Sequence, residues 1–367
     1  MRRLTVVQLL PALDAGGVER STLEIADALV RAGHRAVVVS AGGRLLPRLE
    51  ALGAQHVALD IGRKSPWVLR HVPALRRLVR DADIVHARSR LPAWLAWLAL
   101  RGMGDGGPRF ITTAHGLNSP SRYSAIMARG ERVICVSRTV RAHLLRHYPW
   151  VDPARLVVIP RGIDAAEFPP APWPDRAART RVAALHPALG GTGPLLLLPG
   201  RGTRLKGHTD AIALLAALRA GGDDVRLWLP GALQAGREAY LDELRGLARS
   251  AGVEAALAIT APTAAIAEAY AASDLVLQLS RKPEAFGRTV IEALSVGRPV
   301  LGWAHGGVGE LLEELQPAGA VTTFDTDALA VRARALLHAP PSPSAAMPYT
   351  LRAMQEATLA LYGSMAG

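Results

Sequence analysis

Two loops in the second half of the chain combine cations, acids and glycines in a pattern suited to phosphate binding. In residues 200–207, Arg201 and Lys206 stand between glycines that permit tight turns. A planar guanidinium and a mobile ammonium can together hold two phosphates and offset the charge on a departing diphosphate. Only three of the 43 basic residues are lysines, namely Lys64, Lys206 and Lys282. Because two of these three fall in the two loops, a merely solvated basic loop is disfavoured.

The second loop, residues 281–292, adds two carboxylates and a predicted helix start. Glu284 lies in the loop and Glu292 lies one turn into the helix, and each can accept two hydrogen bonds from a vicinal diol. Backbone N–H groups at the helix start would face an anion, and the residues there are Phe286, Gly287, Arg288 and Thr289. Taken alone, Glu292 would be interpreted as an exposed helix charge. Together, these features indicate a nucleotide sugar, which has phosphates in the middle and a hydroxylated ring at each end.

Two turns in the first half are further candidates. Gly16 and Gly17 follow the first predicted strand and precede a helix, which suits either a phosphate- or hydroxyl-rich ligand or a simple turn. His115 ends a strand before Gly116, and is either a donor or proton-transfer group for a sugar hydroxyl or a structural histidine. The first turn matches neither G-x-G-x-x-G nor a G-K-[ST] phosphate loop, so a dehydrogenase or a nucleoside triphosphatase is disfavoured.

Alternating short β-branched segments and longer helical patterns predict an α/β protein with two parallel sheets. Strands are expected at residues 4–10, 36–40, 56–59, 84–86, 109–113, 132–136 and 156–160, and then at 195–198, 226–229, 257–260, 275–279, 299–303 and 320–322. The expected division is an N-terminal domain over 1–165, a Pro- and Gly-rich linker over 166–193, a second domain over 194–344, and a C-terminal helix over 345–367 packing back toward the N-terminal domain. Ligands of such sheets lie beyond the carboxyl ends of the strands, so we expect a site in a cleft that the two sheets face.

The composition excludes several other classes of protein. Of 367 residues, 50% are hydrophobic and 20% are charged, unlike a disordered or collagen-like chain. Cys135 is the single cysteine, so no intramolecular disulfide can form and no cysteine-based zinc spacing exists. Residues 4–10 follow a basic start that could mimic a signal peptide, but we interpret them as the first strand. The apolar run 91–100, with Trp94 and Trp97, is shorter than the ~20 residues that span a bilayer, and is a core helix or an interfacial one.

The excess of positive over negative charge lies entirely in the first half of the chain. The net charge is +12, and residues 1–165 hold 25 Lys and Arg against 12 Asp and Glu, whereas the remainder holds 18 against 19. An Arg-rich genome would explain the abundance of Arg but not its one-sided placement. The asymmetry favours an anionic partner such as a membrane surface, a lipid phosphate or a nucleic acid. A basic stretch punctuated by tryptophan consists of Arg63, Lys64, Trp67, Arg70, Arg76 and Arg77.

These motifs together resemble the retaining glycosyltransferases of family four, which have the two-domain, Rossmann-like GT-B fold. Glu284-Ala285-Phe286-Gly287 followed by Glu292 is similar to the family's E-x7-E motif, and Gly200-Arg201 with Lys206-Gly207 is similar to its G-R-x4-K-G motif. Supporting matches in the family's order are Gly16-Gly17, Thr113-Ala114-His115-Gly116, Val136-Ser137, residues 159–164, and Gly306-Gly307 with Glu310. Arg161 departs from the pattern, because the family more often has Asn before Gly-Ile-Asp.

The resemblance implies roles for these residues and a mechanism. The implied roles are donor-diphosphate binding for Arg201 and Lys206, donor-sugar contact for Glu284, ribose contact for Glu292, a place near the transferred sugar for His115, and a place under the phosphate or the acceptor for Gly16 and Gly17. It also implies a nucleotide-diphosphate sugar as co-substrate, with no metal and no other cofactor. No acid in the N-terminal loops is well placed as a nucleophile, and the resemblance implies departure and attack on the same face of the sugar.

The resemblance implies that the protein transfers a sugar to a lipid-linked, lipopolysaccharide or polysaccharide acceptor. In this it is similar to transferases of bacterial lipopolysaccharide cores and surface polysaccharides. It would act in the cytoplasm at the inner face of the membrane, with a phosphorylated lipid and an anionic surface as partners and no nucleic acid. Two alternatives stay open: a cytosolic transferase with a small soluble acceptor, and a non-catalytic basic module that binds nucleic acid or membrane. The donor sugar, its base, the linkage and the oligomeric state are left open by the sequence.

Overall fold

A computed structural model describes residues 2–14, 16–104, 106–342 and 347–366 of the chain. These residues form two compact units. The first unit comprises Met1–Arg161 together with Leu351–Gly367, and the second comprises Gly162–Thr350.

The first unit alternates strands and helices around one parallel sheet. In chain order its elements are β1 (Thr5–Leu9), α1 (Gly17–Arg31), β2 (Arg35–Ser40), α2 (Leu46–Ala51), β3 (Gln55–Ala58), α3 (Val72–Val79), β4 (Ile84–Ala87), α4 (Arg90–Leu100), β5 (Arg109–Ala114), β6 (Arg132–Cys135), α5 (Arg138–His147) and β7 (Leu156–Val158). The strand order is β3-β2-β1-β4-β5-β6-β7, and neighbouring strands are parallel. The interpretation of the first apolar segment as a strand is therefore confirmed, because β1 lies inside the sheet.

The second unit repeats the same plan around a six-stranded sheet. Its elements are α6 (Arg176–Leu185), β8 (Leu195–Leu197), α7 (His208–Ala220), β9 (Arg226–Pro230), α8 (Glu238–Ser250), β10 (Leu257–Thr260), α9 (Ile266–Ala272), β11 (Leu275–Gln278), α10 (Arg288–Ser295), β12 (Val300–Trp303), α11 (Gly306–Leu315), β13 (Ala320–Val321) and α12 (Thr326–His338). The strand order is β10-β9-β8-β11-β12-β13, again with parallel pairs. A final helix, α13 (Leu351–Ala366), belongs to the first unit.

Burial on both faces explains why short apolar runs become strands here. β8 consists of three leucines that are completely buried, and β4 is buried along its whole length. A strand covered by helices on both sides needs apolar residues at successive positions, unlike a strand with one wet face. The same residues form the cores of their units, so the strands mark where each core lies.

The strand order reverses direction once in each sheet, and this places the candidate loops. In the first sheet the reversal lies between β1 and β4, and in the second it lies between β8 and β11. Loops that leave the carboxyl ends of such neighbouring strands diverge and leave a crevice for ligands. The loops after β8 and β11 are residues 200–207 and 281–287, the two stretches that carry the predicted donor-binding residues.

The segment expected to be a linker, residues 166–193, is part of the second unit. α6 lies within it and packs on α9. The fully buried Arg298 donates to the carbonyl oxygens of Ala171 and Pro172, at 3.2 and 2.5 Å. Prolines and glycines predict a linker here, whereas in the structure a distant guanidinium supplies hydrogen bonds to backbone carbonyls that the irregular segment cannot pair by itself.

The C-terminal helix α13 packs on the first unit. It begins at Leu351, later than the expected position 345, and Ala345 and Ala346 lie outside the described residues. Tyr362 of this helix is completely buried, and its hydroxyl lies 2.6 Å from Nδ1 of His86. Burial lowers the pKa of His86 well below its ordinary range, with the charges of Arg88 and Arg161 acting in the same direction.

Helix α4 contains the apolar run with two tryptophans, and it belongs to the core of the first unit. Leu95 and Ala96 are completely buried, while Trp94 and Trp97 are half-buried against the same cluster. The indole N–H of Trp94 donates to the carbonyl oxygen of Tyr123 at 3.0 Å. Across the described part of the chain, no helix is both long enough and apolar enough to span a membrane.

Candidate functional site

The loops after β8 and β11 are joined to each other at the reversal point of the second sheet. The backbone N–H of Arg281 donates to the carbonyl oxygen of Leu205 at 2.8 Å. Gly207 has a φ of +75°, and a Cβ at this position would lie 2.0 Å from the carbonyl oxygen of Leu279. Only glycine permits both the left-handed backbone and this close approach. The two loops therefore present one continuous surface.

Lys206 and Glu284 form an ion pair on this surface. The Nζ of Lys206 lies 2.6 Å from Oε1 of Glu284, and the two side chains are 29% and 24% exposed. The hydroxyl of Ser280 donates to the same Oε1, and the amide of Gln278 lies 3.5 Å from Oε2. These donors hold the carboxylate in one orientation while part of it stays accessible, as a ligand-binding group requires.

A third loop, after β12, is fastened to the segment that carries Glu284. The backbone N–H of Gly307 donates to the carbonyl oxygen of Glu284 at 2.8 Å. The Nε2 of His305 lies 2.8 Å from the carbonyl oxygen of Ser280, which can only accept, so this nitrogen carries the hydrogen. Helix α10 begins at Arg288, four positions after Glu284, and α11 begins at Gly306, next to the glycine that donates to the Glu284 carbonyl. The start of a helix carries the positive end of its dipole.

The other two charged groups predicted for donor binding have different surroundings. Arg201 is exposed, and within the described ranges its side chain makes no hydrogen bond or ion pair. Glu292 lies on α10 and is only 9% exposed, and its Oε2 accepts a hydrogen bond from the Tyr270 hydroxyl at 2.9 Å. The direct contact seen in the structure thus joins Lys206 and Glu284, and the roles of Arg201 and Glu292 stay predictions.

The remaining donor-side residues surround the start of α10. Phe286 is buried, and its ring meets that of Tyr349 edge-on with centroids 5.7 Å apart. Gly287 is the N-cap, with a φ of +113°, and Arg288 and Thr289 are half-buried in the first turn. Phe286 therefore anchors the loop by packing on Tyr349, whereas the backbone of the next three residues forms the helix start.

In the first unit, His115 lies beside a buried cluster of polar side chains. Arg161 donates to Oγ of Ser21 at 2.7 Å and lies 2.8 Å from Nδ1 of His115. Arg88 donates to the same Ser21 Oγ at 3.2 Å and to the amide oxygen of Gln8 at 2.8 Å. The two arginines are 7% and 2% exposed, and burial lowers the pKa of Arg88. The hydrogen bonds to neutral acceptors offset part of the cost of burying these charges.

The glycine turn after β1 lies at the start of α1 in the same unit. Gly16 is the N-cap with a φ of +151°, and Gly17 is the first helical residue. Both are exposed. Their predicted place under a phosphate or an acceptor stays a prediction.

The basic stretch of the first unit is exposed, with one exception. Trp67 is 77% exposed, and it lines a surface pocket of about 330 Å³ with Arg63 and Arg70 among the lining residues. Lys64 and Arg77 are exposed as well. Arg76 differs, because it donates to the carbonyl oxygens of Ala99 and Arg101, at 3.2 and 2.6 Å, and so satisfies the carboxyl end of α4.

The described residues contain no group of three or more His, Cys, Asp or Glu side chains arranged to hold a metal ion.

Two family models match the chain in succession. The model described as Glycosyltransferase Family 4 matches residues 15–167, and that described as Glycosyl transferases group 1 matches residues 187–351.

The chain belongs to glycosyltransferase family 4. The resemblance predicted from the loop motifs is thereby confirmed. The D-inositol 3-phosphate glycosyltransferase of Xylanimonas cellulosilytica is 33% identical to this chain over 187 residues, which cover 50% of this chain and 43% of the relative. The chain spans about half the length of the first curated relatives it matches.

Solved structures show that this family 4 transferase has the GT-B fold. A glycosyltransferase from Rickettsia africae superposes with a TM-score of 0.87 and 27% identity, covering 100% of this chain and 99% of the other. HepE from Anabaena, solved with UDP and glucose, has a TM-score of 0.82 and 19% identity over 99% and 100%. WaaG, a glycosyltransferase involved in lipopolysaccharide biosynthesis, has a TM-score of 0.68 and 19% identity over 98% of each chain. The predicted class of two Rossmann-like units with parallel sheets is confirmed.

Two residues that orient Glu284 are not among those predicted from the sequence. Gln278 ends β11 and Ser280 follows two positions later, and their side chains contact each other at 3.1 Å. Residues two apart in a strand share a face. The available signal was a polar pair of that spacing ending an otherwise apolar strand just before an acidic loop residue.

Proposed function

We propose that this family 4 transferase is a retaining, metal-independent enzyme with no cofactor, whose substrate is a nucleotide-diphosphate sugar. The acceptor we propose is a phosphorylated lipid-linked or lipopolysaccharide-type molecule at the cytoplasmic face of a membrane. The observation that carries the donor half of the proposal is the ion pair of Lys206 with Glu284, which lies in the loop leading into α10 and whose carbonyl is bonded to the start of α11. The charge and exposed aromatic residue of the first unit support the acceptor half.

The chemistry requires that a diphosphate leave the anomeric carbon of the donor sugar. The bond between that carbon and the phosphate oxygen breaks, and its electron pair stays on the diphosphate. The ammonium of Lys206 and the start of α10 stabilise this developing negative charge, with Arg201 as a second cation. Glu284, held by Ser280 and Lys206, accepts hydrogen bonds from the hydroxyls of the transferred sugar.

The donor proposal is tested by ligand-induced thermal shifts with a panel of nucleoside diphosphates and nucleotide sugars. A ligand that binds the folded state alone raises the melting temperature. We expect at least one nucleotide sugar to do so, and we expect Lys206→Ala to abolish that shift while leaving the melting temperature of the free protein nearly unchanged. Lys282→Ala is the matched control, because this exposed lysine lies in the neighbouring loop without the ion pair. A full shift in Lys206→Ala would contradict the assignment.

The acceptor proposal is tested with vesicles. Trp67 and Leu69 are 77% and 52% exposed beside Arg63, Lys64 and Arg70. Apolar side chains that enter the headgroup region, together with cations that face anionic lipid, favour a membrane surface. We expect binding to vesicles that contain phosphatidylglycerol, weaker binding at high salt, and several-fold weaker binding of Trp67→Ser. Trp150→Ser is the control, because Trp150 is 51% exposed at another place in the first unit. Equal binding to neutral vesicles would contradict the proposal that this region binds an anionic membrane surface.

A small, soluble phosphorylated acceptor is the second candidate. The relatives named D-inositol 3-phosphate glycosyltransferase favour it, because that name specifies such an acceptor. Product formation from a soluble phosphorylated polyol, with no vesicle binding, would favour this candidate over the lipid-linked one. Hydrolysis of the donor sugar in the absence of any acceptor would exclude a purely non-catalytic binding module.

A further inference from the structure

We propose that Arg161 is a positioning residue that fixes His115 in the tautomer with hydrogen on Nε2, so that this histidine donates a hydrogen bond and does not accept the proton of the acceptor hydroxyl. The role in turnover rests on the proposed function, whereas the tautomer does not. The contact that carries the proposal is the 2.8 Å separation between Nη2 of Arg161 and Nδ1 of His115.

The chemistry of the two groups determines the direction of this hydrogen bond. A guanidinium has five N–H donors and no acceptor, so it can only donate. Nδ1 of His115 must therefore present its lone pair toward Arg161, and the hydrogen of the neutral ring lies on Nε2. Protonation at Nδ1 would place two hydrogens between the nitrogens and would set two positive charges side by side.

The guanidinium cannot easily turn away from His115, because other contacts hold it. Arg161 is only 7% exposed. Its Nη1 donates to Ser21 Oγ at 2.7 Å and lies 3.6 Å from Sδ of Met354 on α13. Arg88 reaches the same Ser21 oxygen from another side. Two helices of the first unit, α1 through Ser21 and α13 through Met354, thus contact the arginine that meets the histidine.

His115 follows β5 at a carboxyl end of the first sheet, and a fixed Nε2–H there supplies a donor of known direction. In the proposed reaction, the acceptor oxygen forms a bond to the anomeric carbon as the phosphate oxygen leaves. The proton of the acceptor hydroxyl is then taken by an oxygen of the departing diphosphate, because neither nitrogen of His115 is available as a base.

The experiment that tests the proposal is long-range 15N–1H NMR of histidine-labelled protein at pH 7.5, with His115 assigned by comparison with His115→Gln. We expect the wild-type spectrum to show the Nε2–H pattern for His115. Arg161→Met should lose that pattern in favour of a tautomer mixture, and Arg161→Lys should restore it in part because it keeps a donor. Arg88→Lys is the control, since Arg88 shares Ser21 but does not contact His115, and it should keep the wild-type pattern.

Two outcomes would overturn the proposal: an Nδ1–H pattern in the wild type, or an unchanged pattern in Arg161→Met that is still folded by its thermal transition. Where sugar transfer is measurable, Arg161→Met should lower kcat roughly 10- to 100-fold while the donor KM changes little, because a misdirected donor affects the transition state. A failure of the proposed transferase reaction would leave the NMR result intact, so the two proposals fail separately.

Discussion

Gly307 shows at the scale of one residue how tightly the three loops around Glu284 are packed. Its N–H donates to the Glu284 carbonyl, and a Cβ added to it would lie 2.5 Å from Cα of Phe286. Only glycine, which has no Cβ, fits this close to the neighbouring backbone. We expect Gly307→Ala to lower the free energy of unfolding by roughly 1–3 kcal/mol, as overpacking does, and to weaken nucleotide-sugar binding. Urea unfolding and the ligand-induced thermal shift measure the two effects.

Gly246 provides the matched control for that substitution. It lies inside α8, where an added Cβ would meet no atom within 4 Å. Replacing an interior helix glycine by alanine favours the helix by up to about 1 kcal/mol. Gly246→Ala should therefore be neutral or stabilising, and a destabilised Gly246→Ala together with a normal Gly307→Ala would contradict this description of the loops.

At the scale of the elements, Arg298 ties α9 and the segment before α6 to the second sheet. It is completely buried, and its Nη2 donates to the carbonyl oxygens of Ala271 and Pro172 at 2.7 and 2.5 Å. Burial lowers the pKa of Arg298, with the charges of Asp175 and Asp274 opposing that shift. The planar fork reaches carbonyls on two separate segments, which one ammonium cannot do.

We therefore expect Arg298→Lys to destabilise the second unit by about 3 kcal/mol, since carbonyl groups lose their donors in a buried place. Chemical unfolding followed by the fluorescence of Trp228 and Trp303, which lie in the second sheet, measures this loss. Arg352→Lys serves as control, because this exposed arginine pairs with Glu356 one turn away and should leave unfolding unchanged. Equal behaviour of the two variants would show that the buried fork is dispensable.

At the scale of the whole molecule, each unit contains a histidine that is completely buried and neutral. His86 lies in the first unit beside Tyr362, and His208 lies in the second unit with its Nδ1 3.3 Å from the Tyr240 hydroxyl. Burial lowers the pKa of His208 to about 4, and a backbone hydrogen bond from the ring to Thr203 opposes this shift while the Lys206 charge adds to it. Both units are therefore expected to lose stability in acid.

The sign follows from proton binding in the two states. An unfolded histidine binds a proton below about pH 6.5, whereas folded His208 stays neutral down to about pH 4. As pH falls between these values, the unfolded state gains protons that the folded state does not, and stability falls. Across the full window this group accounts for roughly 3 kcal/mol. Unfolding measured at pH 7.5 and pH 5 should show a smaller loss in His208→Gln than in the wild type, and equal losses would contradict the prediction.

Sequence patterns predicted the strands well because each strand is short, apolar and buried on both faces. The expected segment 257–260 coincides with β10, and 195–198 differs from β8 by a single residue. A strand that is buried on both faces has apolar residues at consecutive positions of the sequence. It can therefore be predicted without knowing its contacts with distant residues. The same local logic placed residues 200–207 and 281–287 in loops at strand ends, because glycines and charges there follow from chain connectivity.

Contacts between distant parts of the chain could not be predicted in this way. The linker was inferred from Pro and Gly over 166–193, yet Arg298, more than 100 positions later, determines how that segment is held. Arg76 was grouped with its basic neighbours, yet it satisfies the end of α4. Charge and composition describe which side chains are available, whereas packing determines which of them meet a partner.

By itself the sequence determined the α/β class, the positions of the strands and the loops that carry Lys206 and Glu284, because period, burial and turn chemistry are local properties. Only the tertiary structure decided that Ser280 and Lys206 hold Glu284, and that Arg161 meets His115 across 46 positions of chain. The physical reason is that a hydrogen bond forms only between groups that the folded elements bring close together. Neighbouring residues in the sequence do not specify which distant groups those are.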